Sequence, residues 1–178
     1  MHLLVIGGTG FIGFQISLEL LRQGHQVRIL AKESNHVIDS QDIEFHYANL
    51  YEISDAEYTQ YLTGIEGVIF AAGVDDRHLP KKPAWDYFFK GNVESSVRMV
   101  ELAKTQNIQN FLFIGSYFSH FSRIWPELEL GQKHPYIRSR IQQQGKVFAA
   151  LSKEINCTFL ELPFVFGEVA GGVSLWKP

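Results

Sequence analysis

The sequence is poor in the features that mark a disulfide-built, membrane-spanning or nucleic-acid-binding protein. It has one cysteine, Cys157, in 178 residues. No internal disulfide can form, and a reducing cytoplasm is the expected setting. No apolar run reaches the roughly 20 residues of a membrane span. The first strand is expected from residue 2, which leaves no length for a signal peptide. Neither charge sign dominates, with 16 basic and 19 acidic residues and a net charge of −3. The electrostatic footprint of a nucleic-acid binder is therefore missing. The seven histidines are scattered without metal-ligand spacing, and no metal site is expected. There is no linker and no repeat. With 46% hydrophobic residues, the composition is that of a globular chain long enough for one domain with a real core.

The most informative stretch is Gly7-Gly8-Thr9-Gly10-Phe11-Ile12-Gly13. It follows the apolar run Leu3 to Ile6 and precedes a helical segment, Phe11 to Gln23, closed by Gly24-His25. A glycine loop between a buried strand and a helix suits a dinucleotide. The first glycine permits a tight turn, the next lets the backbone approach a pyrophosphate, and the last lets the helix pack close to the strand. Backbone N–H groups at the helix start then face the phosphates, and the helix dipole favours negative charge there. The loop satisfies two spacings. Gly8, Gly10 and Gly13 make G-x-G-x-x-G, and Gly7, Gly10 and Gly13 make G-x-x-G-x-x-G. Its position after a strand and before a helix gives the motif its weight.

Strand and helix signals then alternate. Strands are expected at His2 to Ile6, Val27 to Leu30, Ile43 to Tyr47, Val68 to Ala71, Phe111 to Ile114 and Thr158 to Leu162. Helices are expected at Asp55 to Leu62, Trp85 to Gln106 and Pro135 to Leu151, with an irregular stretch between the fifth strand and the last helix. Six strands alternating with helices predict an α/β fold. This is a Rossmann-type doubly wound parallel sheet in the order 3-2-1-4-5-6, with helices on both faces and ligands bound at the carboxyl ends of the strands.

Taken together, these features resemble the extended short-chain dehydrogenase/reductase family, the NAD-dependent epimerase/dehydratase group, along essentially the whole chain. Gly7, Gly10 and Gly13, with Phe11 and Ile12 between them, match its cofactor loop. Ala71-Ala72-Gly73 matches the small-residue turn where the backbone approaches the cofactor. Asn92 matches an asparagine that supports the active site from the long helix. Ser116, ending Phe111 to Gly115, matches the catalytic serine. Tyr136 and Arg140 stand at the family's Tyr-x-x-x-Lys. Leu162-Pro163-Phe164-Val165-Phe166-Gly167 resembles the segment that borders nicotinamide and substrate, with Pro163 at the cofactor. Asn49-Leu50 stands where many relatives have an aspartate and an apolar residue near the adenine. An asparagine carbonyl can still accept from an amino group.

The resemblance implies an oxidoreductase, epimerase or dehydratase acting on a nucleotide sugar or a small carbonyl compound. A tyrosine hydroxyl can move a proton to or from a substrate oxygen. A free phenol near pKa 10 does this poorly at neutral pH, and a neighbouring cation favours the phenolate. In these terms Tyr136 is the general acid/base, Ser116 holds the same oxygen, Arg140 is the cation and Asn92 supports the site. The family has lysine where this chain has Arg140. That departure keeps open a second reading, a non-catalytic dinucleotide-binding regulator or redox sensor. The resemblance also implies a homodimer through the two long helices.

It further implies that relatives continue past Pro178. The expectation is a single NAD(P)-binding domain over residues 1–178, cut before the C-terminal substrate-binding part. Cofactor preference is read from the second strand, which runs into Ala31-Lys32 with no carboxylate at the usual place; Glu33 comes late. Lys32 there favours NADP over NAD. Lys81 and Lys82 are expected to be solvated. The loop Asp75-Asp76-Arg77-His78 is expected to be polar surface, Glu161 a paired structural charge, and Cys157 inert packing.

Overall fold

The computed structural model describes residues 1–32, 42–77 and 80–167. Glu33, His78 and the last residues, 175–178, lie outside them. Among the described residues the order is β1 (His2–Ile6), α1 (Phe11–Arg22), β2 (Gln26–Ala31), β3 (Ile43–Tyr47), α2 (Asp55–Leu62), β4 (Gly67–Phe70) and α3 (Ala84–Phe88). A π-helical turn (Phe89–Glu94) leads into α4 (Ser95–Lys104), followed by β5 (Asn110–Ile114), α5 (Tyr117–Ile124), a 3-10 turn (Pro126–Leu128), α6 (Leu130–Lys133), α7 (Pro135–Ala150) and β6 (Asn156–Leu160).

The six strands form one sheet in the order β3-β2-β1-β4-β5-β6, and every pairing is parallel. This is the predicted doubly wound order. The alternation of side chains along the strands divides the core in two. Leu3, Val5, Val27 and Ile29 cluster with Ile16, Leu20 and Leu21 of α1. Leu4, Ile6, Leu30, Phe70 and Phe113 face the other way, toward Tyr58 and Leu62 of α2, Met99 and Val100 of α4 and Val147 of α7. The two short apolar runs at the sheet centre, Leu4–Ile6 and Ile29–Leu30, are fully buried. A run apolar on both faces is what a central parallel strand requires. No described helix is long and apolar enough to cross a membrane.

Helix ends follow local chemistry. Ser54 caps α2, its Oγ accepting from Glu57 N at 3.2 Å, and Asp55 and Glu57 lie in the positive first turn. α1 ends at Arg22, with Gly24 in the left-handed region at φ +79°, one residue from the predicted end.

Three expectations are corrected. The helix predicted over Trp85–Gln106 is helical nearly throughout but widens at Phe89–Glu94. A side chain on Gly91 would strike Val74. Ser95 Oγ and Ser96 Oγ donate to the carbonyls of Gly91 and Asn92 at 2.7 and 2.6 Å, which satisfies backbone groups in the altered turn. The stretch read as irregular holds α5, with Ser116 at its N-cap. β6 starts and stops two residues early, because its pairing ends with β5 at Ile114↔Leu160. Glu161 thus lies just past the strand and pairs with Arg123 across 2.7 Å.

Candidate active site

The site begins at the carboxyl end of β1. Gly7 sits at φ +81°, and a Cβ there would lie 2.8 Å from the backbone nitrogen of Ala72. The turn after β4 therefore packs directly on the glycine loop. A Cβ on Gly13 would fall on the Gly7 carbonyl, so the first turn of α1 lies against the loop that precedes it. Gly10 is the N-cap of α1, and no side chain caps this helix. Nor does an acidic residue stand in its first turn. The unsatisfied N–H groups of that turn, with the positive end of the helix dipole, form a cradle for an anion. A side chain at Gly10 would meet only the Gly7 carbonyl, 3.3 Å away. It would otherwise occupy the cradle. These residues fit a dinucleotide pyrophosphate.

The cradle opens into a cavity of about 560 Å³ between the exits of β4, β5 and β6 and the start of α7. Of the predicted residues, Gly10, Phe11, Ile12, Gly13, Ala71, Gly73, Ser116, Tyr136, Arg140 and Pro163 line it. Ser116 is buried, and its Oγ accepts weakly from Phe118 N at 3.4 Å. Tyr136 stands in the first turn of α7, its ring edge-on to Phe88 at 5.6 Å between centroids. Arg140, one turn later, donates from Nε to the Tyr136 hydroxyl at 3.4 Å. Its guanidinium carbon lies 5.5 Å from the Tyr136 ring centre. A second donor, Nη1, goes to Gln143 Oε1 at 2.9 Å.

Asn92 lies behind this wall, fully buried. Its Oδ1 accepts from Val74 N at 2.9 Å, and its Nδ2 donates to Val74 O and to Ser139 Oγ, both at 3.0 Å. It thus ties the loop after β4 to the first turn of α7, which carries Tyr136. Gly7 and Ala72 brace the loop without lining the cavity. Asn49 and Leu50 lie after β3. Asn49 Oδ1 accepts from Tyr51 N at 3.2 Å, an Asx-type turn that already engages the carbonyl expected to face an adenine. Leu50 packs on the core, and its carbonyl accepts from Arg98 at 2.6 Å. Lys32 is exposed just past β2.

Sequence reasoning set several cavity residues aside. Asp75, Asp76 and Arg77 line the cavity, and Asp76 and Arg77 are exposed, as expected of a polar surface loop. Arg77 is paired with Asp75, whose carboxylate raises the guanidinium pKa further. Tyr117 and Phe118 line it too, and Phe164 stacks edge-on to Tyr117 at 5.5 Å. The serine cap followed by aromatics at 117, 118 and 121 is an amphipathic-helix signal that marks α5. Among the described residues no group of three or more His, Cys, Asp or Glu is placed to hold a metal ion.

Comparisons with known proteins bear on the fold and the family. The chain is 23% identical to a UDP-glucose 4-epimerase of Dictyostelium discoideum, over 89% of this chain and 50% of that protein. It is 25% identical to a putative dihydroflavonol 4-reductase of Synechocystis, over 63% of this chain and 32% of that one. It thus spans half or less of the length of these two relatives. Among solved structures, Bordetella bronchiseptica WbmG in complex with NAD superposes with a TM-score of 0.73 at 14% identity, over 94% of this chain and 54% of that one. Bacillus cereus UDP-glucuronic acid 4-epimerase in complex with NAD gives 0.67 at 14%, over 89% and 55%. At these identities the structural likeness is one of fold. The profile of the NAD dependent epimerase/dehydratase family matches residues 3–172, and the chain belongs to that family.

Proposed function

We propose that this chain is the dinucleotide-binding domain of an NAD(P)-dependent oxidoreductase, epimerase or dehydratase acting on a nucleotide sugar or a small carbonyl compound. The observation that carries the reading is the Arg140 Nε to Tyr136 Oη contact of 3.4 Å, in one cavity with Ser116 and the uncapped start of α1. The nicotinamide, when bound, supplies or accepts hydride. Gly10 and Gly13 allow the backbone to close on the pyrophosphate, and the helix dipole stabilises its charge. Tyr136 gives a proton to, or takes one from, the substrate oxygen, and Ser116 Oγ holds that oxygen by a hydrogen bond. Arg140 Nε donates to the hydroxyl of its neighbour and holds that oxygen in place for the exchange. Asn92, through Ser139 and Val74, keeps α7 in register with the loop after β4.

NADP is the preferred cofactor in this reading. Lys32 stands exposed just past β2 and makes no ion pair with any described residue. A 2′-phosphate there gains a counter-charge. A homodimer is also proposed, through the helices that carry the partly exposed Tyr87 and Ile141.

One observation favours the non-catalytic alternative. The Arg140 guanidinium is shared between Tyr136 and Gln143, where the family has a lysine. Turnover of the full-length protein decides between the two. Tyr136→Phe abolishes turnover and spares cofactor binding if the chain is catalytic. Unchanged turnover removes Tyr136 from the mechanism.

A further inference from the structure

We infer that Gln143 is a positioning residue for the Arg140–Tyr136 pair, one that substitutes for the geometry a lysine would give. The inference rests on the proton-transfer reading of Tyr136 and Arg140. Gln143 lies one turn past Arg140 on α7 and is 1% exposed. Its Oε1 accepts from Arg140 Nη1 at 2.9 Å. Its Nε2 is buried and has no hydrogen-bond partner among the described residues.

A buried primary amide with a missing partner is costly, so its orientation is a choice between alternatives. Flipped, the amide would set its NH2 against the guanidinium N–H groups, donor against donor. The observed orientation keeps the charge-assisted bond and sacrifices the amide's own donor. An apolar residue at 143 would avoid that loss, so stability alone does not call for glutamine here.

What glutamine provides is direction. A guanidinium has five donors in a rigid plane, whereas an ammonium is a rotatable point charge. Unrestrained, that plane can turn about the end of its stem. With Nη1 anchored on Gln143, the plane is fixed and Nε is the donor left facing the Tyr136 hydroxyl, at 3.4 Å. Both terminal nitrogens of the guanidinium also lie along Gly73, where a Cβ would come within 3.3 Å of Nη2 and 3.4 Å of Nη1. Gly73 and Gln143 thus bound the guanidinium on two sides, and a side chain at 73 would press on it. Arginine at 140 and glutamine at 143 work as a unit.

The test is hydrogen exchange of the Arg140 Nε–H in the 15N-labelled chain, its signal assigned by its loss in Arg140→Lys. Gln143→Met keeps the length of the side chain and removes the acceptor. Gln143→Glu keeps the acceptor. The expected result is exchange at least about tenfold faster in Gln143→Met, with protection close to native in Gln143→Glu. In the active full-length protein, Gln143→Met lowers kcat severalfold with KM little changed, and Gln143→Glu restores kcat. Native protection in a folded Gln143→Met, or equal loss in Gln143→Met and Gln143→Glu, overturns the inference. If Gln143→Met folds poorly, Gln143→Leu is read in the same way. Should Tyr136→Phe keep its turnover, the proton-transfer reading fails, and the exchange rates still judge the positioning of Arg140.

Discussion

Asn92 Nδ2 donates to Ser139 Oγ across 3.0 Å, and both side chains are fully buried. Ser139 Oγ in turn donates to the Tyr136 carbonyl at 2.7 Å. One asparagine in a widened helical turn therefore holds the helix start that carries the candidate acid/base. Asn92→Ala leaves the N–H and carbonyl of Val74 and the Ser139 hydroxyl each short of a partner. The expected cost is about 2–4 kcal/mol, a fall of roughly 5–15 °C in melting temperature for a chain of this size. Thermal unfolding followed by circular dichroism checks it, and a change within 1 °C contradicts the bonding described.

The glycines of the first loop are expected to separate by role. Gly10→Val makes one tight contact on the protein side, with the Gly7 carbonyl at 3.3 Å, which a shift of a few tenths of an ångström relieves. It should melt within a few degrees of the parent while losing tenfold or more in dinucleotide affinity, about 1.4 kcal/mol. Gly13→Ala places its methyl group on the Gly7 carbonyl and should destabilise the fold itself by about 1–3 kcal/mol. Melting curves and calorimetric titrations of the two variants test the division. A Gly13→Ala protein as stable as the parent would show the loop to be looser than described.

The order of the strands and the placement of the glycine loop were legible because each rests on a local signal. Buried runs such as Leu3 to Ile6 and a glycine motif at a strand end are readable without tertiary context. The π turn was not legible. Its cause is the approach of Gly91 to Val74, a contact across 17 positions that leaves the helical periodicity intact. The end of β6 was misplaced because Leu160 and Leu162 continue the apolar pattern, while pairing stops when β5 runs out at Ile114. Glu161 was read as a structural charge, and it is one, paired with Arg123. The loop at Asp75–Arg77 was read as polar surface, and Asp76 and Arg77 are exposed; its place on the cavity wall was not legible from polarity. Its exposure to the cavity depends on the Asn92 bonds to Val74. Gln143 carried no signal at all. A lone glutamine on a helix is unremarkable until its burial and its bond to Arg140 are seen.

Cofactor choice gives a sharper contrast between two ligands. Lys32→Ala is expected to weaken NADP binding by roughly fivefold, about 1 kcal/mol for a solvent-exposed pair, and to leave NAD binding unchanged. The effect should shrink with added salt. Dissociation constants for both cofactors at two ionic strengths check it. Tighter binding of NAD by the parent, or an equal loss for both cofactors, contradicts the preference.

Cys157 is half-buried on β6, and burial pushes its thiol up to about 11. At pH 8 only about one molecule in a thousand then carries the reactive thiolate. Alkylation of the folded protein by iodoacetamide should be slow between pH 7 and 9 and rise sharply on unfolding in urea. Mass spectrometry after timed quenching reads the rate. Labelling of the native chain as fast as that of a free thiol would contradict the burial described.

The central claim is that one cavity brings a dinucleotide to Tyr136. It is tested most directly by a crystal structure of the chain soaked with NADP. The account predicts the pyrophosphate on the backbone N–H groups at Phe11 to Gly13 and the nicotinamide in the cavity beside Tyr136 and Pro163. A dinucleotide bound elsewhere, or one whose nicotinamide points away from Tyr136, would contradict it.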